Sequence, residues 1–157
     1  MRTKILIVNG PGLGDLAEYD GNGYGGLTLQ TIRKGCEQLC NDLQVDLDFR
    51  QTDDQEQMLQ WIAKDSENFD SLIINPVGYS HVASLDPGFY RSAMQVAAHL
   101  KKPVTEVHIN NIYRQSGEIA EPLNESEGDM GFVCGFGMYG YLLAIKASVH
   151  RNSASQS

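Results

Sequence analysis

Short aliphatic runs alternate along this chain with amphipathic stretches of helical length, and this alternation restricts the fold more than any other feature. Lys4–Asn9 (KILIVN) and Ser71–Asn75 (SLIIN) are nearly continuous apolar runs, which are typical of strands buried on both faces of a parallel sheet. Further strands are predicted around Val45, Leu47 and Phe49, which alternate with polar residues as in an edge strand, and over residues 104–109 and 131–135.

The stretches between these runs predict helices. Thr28 is the predicted N-cap of a helix that extends to about Leu43, and Asp53 or Asp54 begins a second helix. A third helix is predicted over residues 87–100, and a closing helix continues through Ala147. Because alternating strands and helices imply right-handed crossovers, we predict an α/β, flavodoxin-like three-layer sandwich with a five-stranded parallel sheet in the order 2-1-3-4-5.

Length, charge and the length of the apolar runs restrict the number of domains, the partners and the location that the chain can have. The 157 residues, 41% of them hydrophobic, predict one domain over 1–150 and a polar tail over 151–157 that frays. A formal charge of −8 without a basic block argues against nucleic acid or an anionic membrane as a partner. No apolar run approaches the roughly 20 residues of a membrane helix, and no signal-peptide core precedes the first strand, so a cytoplasmic protein is expected.

The three cysteines, Cys36, Cys40 and Cys134, form no CxxC pair, and no histidine lies at metal-binding spacing from them. This pattern predicts reduced thiols and no metal site. Cys36 and Cys40 lie four residues apart on a predicted helix, among apolar residues, so core packing is their expected role.

Polar side chains cluster where the predicted strands end, and the carboxyl edge of such a sheet is where ligands bind. Asn9 ends the first strand, Asn75 ends the third and is followed by His81, and the fourth carries Glu106 and His108. Glu106 and His108 lie two apart on a strand and therefore share a face, so the carboxylate can orient the imidazole for general acid/base chemistry. A structural histidine is the alternative for His108.

The segments GPGLG and GNGYGG lie after the first strand and are too rich in glycine to be rigid. We interpret them as a mobile cover that carries Tyr24. A phosphate cradle is disfavoured because no Gly-Lys-Ser/Thr follows and because Asp15, Glu18 and Asp20 would repel a phosphate, so no cofactor is predicted.

Five motifs together resemble the type II 3-dehydroquinate dehydratase family. They are NGP at 9–11, YG at 24–25, INP with a downstream YSH at 74–81, EVHINNI at 106–112 and CGFGMYGYLLAI at 134–145, and they span nearly the whole chain in the family's order. The resemblance implies a carbon–oxygen lyase of the shikimate or quinate pathway that needs no cofactor.

The resemblance also implies roles for individual residues. Tyr24 would be the base that removes a proton next to a ketone, and His108, oriented by Glu106, the acid that protonates the departing hydroxyl. A small polar ligand would be held by Asn75 and by the backbone of Ile109 and Asn110 at its carboxylate, with His81 at a hydroxyl or at the base, and Arg114 as a further binding residue.

This chain departs from the family pattern in the same region. The family's NGPNLNLLG reads NGPGLGDLA, so Gly12 replaces an asparagine that holds a water, and Tyr19 replaces an arginine of the lid. Ile119 occupies the position of a substrate-clamping arginine, which Arg114 would partly replace, and Asn110 replaces a serine. Because a tyrosine base needs a neighbouring cation, we predict a dehydroquinase-like protein that binds a small polar ligand with impaired or absent turnover. An active 3-dehydroquinate dehydratase is the alternative.

The resemblance further implies a homo-oligomer, a dodecamer built from trimers. Phe89, Tyr90 and Tyr139 are aromatic residues that would either be covered by neighbouring subunits or lie in the core of one chain.

Overall fold

The computed structural model describes residues 2–18, 27–76, 87–111, 114–115, 118–119 and 130–155. Its strands are β1 Lys4–Asn9, β2 Asp46–Gln51, β3 Ser71–Asn75, β4 Val104–His108, β5 Arg114–Gln115, β6 Glu118–Ile119 and β7 Gly131–Cys134. Its helices are α1 Leu29–Asp42, α2 Gln55–Ala63, α3 Pro87–Ala98 and α4 Tyr139–Ser155. Short 3-10 segments lie at Leu13–Glu18 and Asp65–Asn68.

Within the described residues, the main sheet has five strands in the order β2-β1-β3-β4-β7, and every neighbouring pair is parallel. Counted within that sheet, this is the predicted order 2-1-3-4-5, so the predicted flavodoxin-like architecture is confirmed. The antiparallel pair β5 and β6 was not predicted, because two-residue strands are too short for a periodic pattern.

Alternation along the central strands sends apolar side chains to both faces of the sheet. On one face, Ile5, Ile7 and Ile73 pack with side chains of α1 and α4. On the other face, Leu6, Leu72 and Ile74 pack with side chains of α2 and α3. The two cores account for the nearly continuous apolar composition of β1 and β3.

The predicted helix starts are confirmed by their caps. Thr28 Oγ1 accepts a hydrogen bond from Thr31 N at 3.1 Å, and Asp54 Oδ1 accepts from Glu56 N at 3.0 Å. On α1, Cys36 and Cys40 are buried in the core, as expected for packing residues. Burial raises the pKa of the Cys36 thiol to about 12 and that of Cys40 to about 11, so both stay protonated and unreactive at neutral pH.

The end of the chain differs from the prediction. Helix α4 does not end near Ala147 but continues through Ser155, so residues 151–155 are helical rather than a fraying tail. Asn152 explains the difference, because it is only 8% exposed and its Nδ2 donates to Ser71 Oγ at 2.7 Å, which ties the last turns to β3. No helix among the described residues is long and apolar enough to cross a bilayer.

Asn152→Ala should lower the free energy of unfolding by about 1–3 kcal/mol, because it leaves the buried hydroxyl of Ser71 without its donor. Ser153→Ala is the matched control on the exposed side of the same helix and should change stability by less than about 0.5 kcal/mol. Urea unfolding measures both. Equal, near-zero effects would mean that the last turns of α4 contribute nothing to the fold.

Candidate active site

The carboxyl ends of β1 and β3 lie in close contact at Gly10. Gly10 N donates to Asn75 O at 2.8 Å. A Cβ on Gly10 would lie only 2.3 Å from Pro76 O, a backbone atom that cannot move aside without distorting the strand end. The absence of a side chain at Gly10 therefore allows the two strand ends to meet at the edge where the predicted site residues converge.

Glu106 and His108 form a buried pair at the end of β4, as their spacing predicted. His108 Nε2 lies 2.6 Å from Glu106 Oε2, and the two side chains are 1% and 2% exposed. An ionised carboxylate can only accept, so the proton of this bond belongs to Nε2. Glu106 thereby selects the tautomer of the ring and can stabilise a positive charge on it.

The other ring nitrogen of His108, Nδ1, has no hydrogen bond within the described part of the chain. This nitrogen is also buried. The ring is flanked by Phe132, whose ring centroid lies 5.6 Å from that of His108. A buried polar atom without a partner costs about 1–3 kcal/mol, which a ligand that hydrogen-bonds to Nδ1 would recover.

His108 is more deeply enclosed than the sequence indicated. The sequence places it at the carboxyl edge of the sheet, where ligands bind, and the structure buries it to 1% exposure among the core residues of β4. Loss of this side chain removes a partner of a buried carboxylate, so a variant at His108 is expected to lose stability as well as any chemical role.

Asn75 lies at the same edge of the sheet but on the opposite face. It follows Ile73 by two residues, on the side that packs against α4, and its Nδ2 donates to Tyr141 Oη at 2.7 Å. Tyr141 Oη in turn donates to Asn9 Oδ1 at 2.7 Å, and Asn9 Nδ2 donates to Arg50 O at 2.9 Å. Complete burial raises the pKa of Tyr141 above its ordinary value, so its hydroxyl remains a donor.

Sequence reasoning missed Tyr141 as a member of this network. The residue was noticed only inside the motif of the closing helix, and local patterning gave no sign that its hydroxyl would meet two asparagines. Buried tyrosines generally need a partner for the hydroxyl, and this rule was the available signal. Tyr141 fixes the amide groups of Asn9 and Asn75, which end adjacent strands.

The backbone after β4 is held by two glycines that precede α4. Gly135 N donates to His108 O at 3.2 Å, and Gly137 N donates to Ile109 O at 2.9 Å. Gly135 and Gly137 have φ values of 91° and 58°, which favour glycine. Ile109 is buried and Asn110 is half-buried, and the two residues directly follow His108 in the chain.

Gly12 has a carboxylate beside it. Its N donates to Asp53 Oδ1 at 3.1 Å, and Gln51 Nε2 donates to the same oxygen at 2.9 Å. Gly12 has a φ of 86°, a value that an asparagine adopts more readily than most side chains do but less readily than glycine. Where the family pattern has an asparagine amide, this chain therefore has a bare backbone amide bound to an acidic side chain.

The remaining predicted site residues are described in part or not at all. Tyr24, Tyr19 and His81 lie outside the described residues. The backbones of Arg114 and Ile119 are described, and they pair directly in the antiparallel register of β5 and β6. Cross-strand partners are the closest neighbours of a hairpin, so position 114 lies next to position 119 despite their separation in sequence.

Comparisons with known proteins agree on one family. The family model described as "Dehydroquinase class II" matches residues 3–149. The "3-dehydroquinate dehydratase 1" of Agrobacterium fabrum is 33% identical over 147 residues, which cover 94% of this chain and 96% of that protein. The 3-dehydroquinate dehydratase of Clostridium botulinum is 32% identical over 146 residues, which cover 92% of each.

Solved structures give the same result. The type II dehydroquinase of Propionibacterium acnes superimposes with a TM-score of 0.74 at 29% identity, over 94% of this chain and 96% of that one. A "3-dehydroquinate dehydratase-like protein" from Bifidobacterium longum superimposes with a TM-score of 0.62 at 29% identity, over the same shares of each chain.

Gly10→Ala should destabilise the chain by about 1–3 kcal/mol, because the added methyl overlaps the backbone of Pro76. Gly14→Ala is the control, since its Cβ would meet only the flexible end of Gln51 at 3.2 Å. Thermal or urea unfolding of both variants tests whether position 10 requires glycine. A stable Gly10→Ala protein would show that the two strand ends can separate at little cost.

Proposed function

Because the chain belongs to the class II dehydroquinase family, we propose that it is a 3-dehydroquinate dehydratase. The observation that carries this proposal is the buried His108 ring, which is bound at Nε2 by Glu106 and open at Nδ1. Such a ring has its tautomer set by the protein and one nitrogen reserved for a ligand. That arrangement suits an acid that protonates a departing hydroxyl.

The elimination needs two proton transfers and no redox partner. A base takes the proton on the carbon next to the ketone, the electron pair of that C–H bond forms the new double bond, and the C–O bond to the hydroxyl breaks. His108, protonated at both nitrogens, gives the Nδ1 proton to the departing oxygen, which leaves as water. The Glu106 carboxylate stabilises the cationic ring before the transfer.

The other roles in this proposal come from the family resemblance. Tyr24 acts as the base, with His81 beside it or at a substrate hydroxyl. Asn75 and the backbone of Ile109 and Asn110 hold the substrate carboxylate. The link from Asn75 to Tyr141 supports a fixed amide at the strand end, and the glycine contacts to the carbonyls of His108 and Ile109 support a fixed backbone there.

In this proposal, Arg114 replaces the substrate-clamping arginine whose position is occupied by Ile119. The support is the register of the hairpin, which places the two positions opposite each other. Two positions five residues apart in sequence are thus only one cross-strand step apart in the backbone. In this proposal Arg114 is the substrate-binding arginine.

Impaired turnover is the second candidate, and one observation favours it. Gly12 N is bound to the Asp53 carboxylate, so an acidic side chain from the segment after β2 lies beside the position where the family pattern has a neutral amide. Negative charge opposes ionisation of a tyrosine base and formation of an enolate. In this version the chain binds the same cyclic, hydroxylated carboxylate and turns it over slowly or not at all.

His108→Gln should lower kcat by about 10²–10⁴-fold, the usual contribution of general acid catalysis. The conjugated enone product gives the readout by its absorbance. Thermal unfolding measured beside it separates lost chemistry from lost folding, and a folded His108→Gln protein with unchanged kcat would remove His108 from the mechanism.

If the parent chain binds 3-dehydroquinate without turnover, the second candidate is correct.

Tyr19→Arg separates the two candidates. If a missing cation limits the Tyr24 base, this change should raise kcat by about 10²-fold, because a positive charge favours the ionised phenol. If Arg114 already supplies the necessary charge, kcat should stay where it is. Tyr19→Gln is the uncharged control, and a comparable gain in that variant would exclude the electrostatic explanation.

We also propose a cytoplasmic homo-oligomer, by analogy with the dodecamer of trimers that the family resemblance implies. Of the three aromatic residues left open between surface and core, Phe89 and Tyr90 are buried and Tyr139 is exposed. Tyr139 belongs to a group of exposed apolar side chains near β7 and the start of α4, namely Phe132, Phe136, Tyr139 and Leu143. This surface supports self-association, which sedimentation velocity tests.

A further inference from the structure

Tyr90 contacts the buried carboxylate from a different element. The residue lies in the first turn of α3, and its Oη is 3.0 Å from Glu106 Oε1 and 3.0 Å from Glu106 Oε2. Tyr90 is 5% exposed and packs in the core between α3 and the sheet. One phenol hydroxyl is thus shared between both oxygens of the carboxylate that orients His108.

A charged carboxylate that is 2% exposed needs donors to replace the water it has lost. The donors that the structure gives to Glu106 are Tyr90 Oη and His108 Nε2. The ion pairs among the described residues include no lysine or arginine at Glu106, and His108 is its only ionisable partner of that kind. Among the residues that the structure describes, Tyr90 and His108 are therefore the groups that stabilise this buried carboxylate.

The position of Tyr90 in α3 explains how it reaches that carboxylate. Tyr90, Ala93, Met94 and Ala97 lie on one buried face of the helix, at helical spacing, and Phe89 is buried beside them. Tyr90 lies in the first turn of α3, from which its hydroxyl meets Glu106 of β4. The other residues of this face are apolar, so the hydroxyl is the polar group that this face directs toward the sheet.

We propose that Tyr90 is a positioning residue that acts on His108 through Glu106. Its hydroxyl stabilises the carboxylate as the anion and holds it in the plane in which Oε2 accepts from Nε2. Without this donor the carboxylate can rotate or share a proton with the ring, and Nδ1 would no longer be reserved for the ligand. The inference rests on the proposed function for its effect on catalysis, but the geometric claim does not.

A purely structural tyrosine is the competing explanation, and enzyme kinetics distinguish the two. Tyr90→Phe keeps the ring in the core and removes only the hydroxyl. We expect kcat to fall on the order of tenfold, the value of one hydrogen bond to a charged group, while KM changes little because Tyr90 is only 5% exposed and acts through Glu106. Met94→Ala is the control, since it opens a cavity on the same helix face and should lower stability while leaving kcat intact.

A double-mutant cycle identifies the route of the effect. In the Glu106→Gln background the carboxylate is already absent, so adding Tyr90→Phe should lower kcat no further. Additive losses in the double variant would show that Tyr90 acts independently of Glu106 and would overturn the proposal. An unchanged kcat in Tyr90→Phe, or a loss that Met94→Ala reproduces, would overturn it as well.

Nuclear magnetic resonance of the ligand-free chain separates this inference from the proposed function. The chain has four histidines, and the His108 ring can be assigned by its absence from the His108→Gln spectrum. We expect a strongly hydrogen-bonded Nε2–H signal that is displaced in Tyr90→Phe and unmoved in Met94→Ala. If the parent chain fails to dehydrate 3-dehydroquinate, the proposed function is wrong, and this signal still decides the role of Tyr90. An unmoved Nε2–H signal in Tyr90→Phe would overturn the proposal that Tyr90 acts on His108 through Glu106.

Discussion

The three central strands, β1, β3 and β4, are covered on both faces, and this constraint determines where polar groups can stand. Apart from exposed Lys4, every residue of these strands is buried, including Asn9, Asn75, Glu106 and His108. Buried polar groups must find partners inside the protein or in a ligand. The polar side chains of these three strands that have partners from other elements lie at or near the strand ends, where several elements meet.

Each face of the sheet meets this requirement with a tyrosine from a helix. On one face Tyr141 of α4 joins Asn9 and Asn75, and on the other Tyr90 of α3 bonds to Glu106. The first network is closed by the carbonyl of Arg50. The second ends at His108 Nδ1, which has no partner in the described part of the chain. The difference separates a network that ends at a backbone carbonyl from one that ends at a buried ring nitrogen with no hydrogen-bond partner among the described residues.

The balance of charge near the site bears on the rate of the proposed reaction. Asp53 lies at the amide of Gly12, and Tyr19 and Ile119 stand where the family pattern has arginines. Arg114 pairs with Ile119 in the hairpin, and in the proposed function it offsets this loss of positive charge. In the proposed function, the changes in this chain fall on the electrostatics of the base rather than on the scaffold.

Apart from the short β5–β6 pair and the last turns of α4, the sequence by itself determined the elements, their order and the pairing of Glu106 with His108, because these follow from periodicity, caps and neighbours two residues apart. Strand β1 and the N-caps Thr28 and Asp54 could be predicted because their signals are local. The bond from Tyr90 to Glu106 spans 16 residues, that from Asn152 to Ser71 spans 81, and that from Tyr141 to Asn9 spans 132. Only the tertiary structure decided these contacts, since a hydroxyl or an amide has no periodicity that reveals its partner. Packing of helices on the sheet brings the two ends of each bond together, and the burial that results makes each bond necessary.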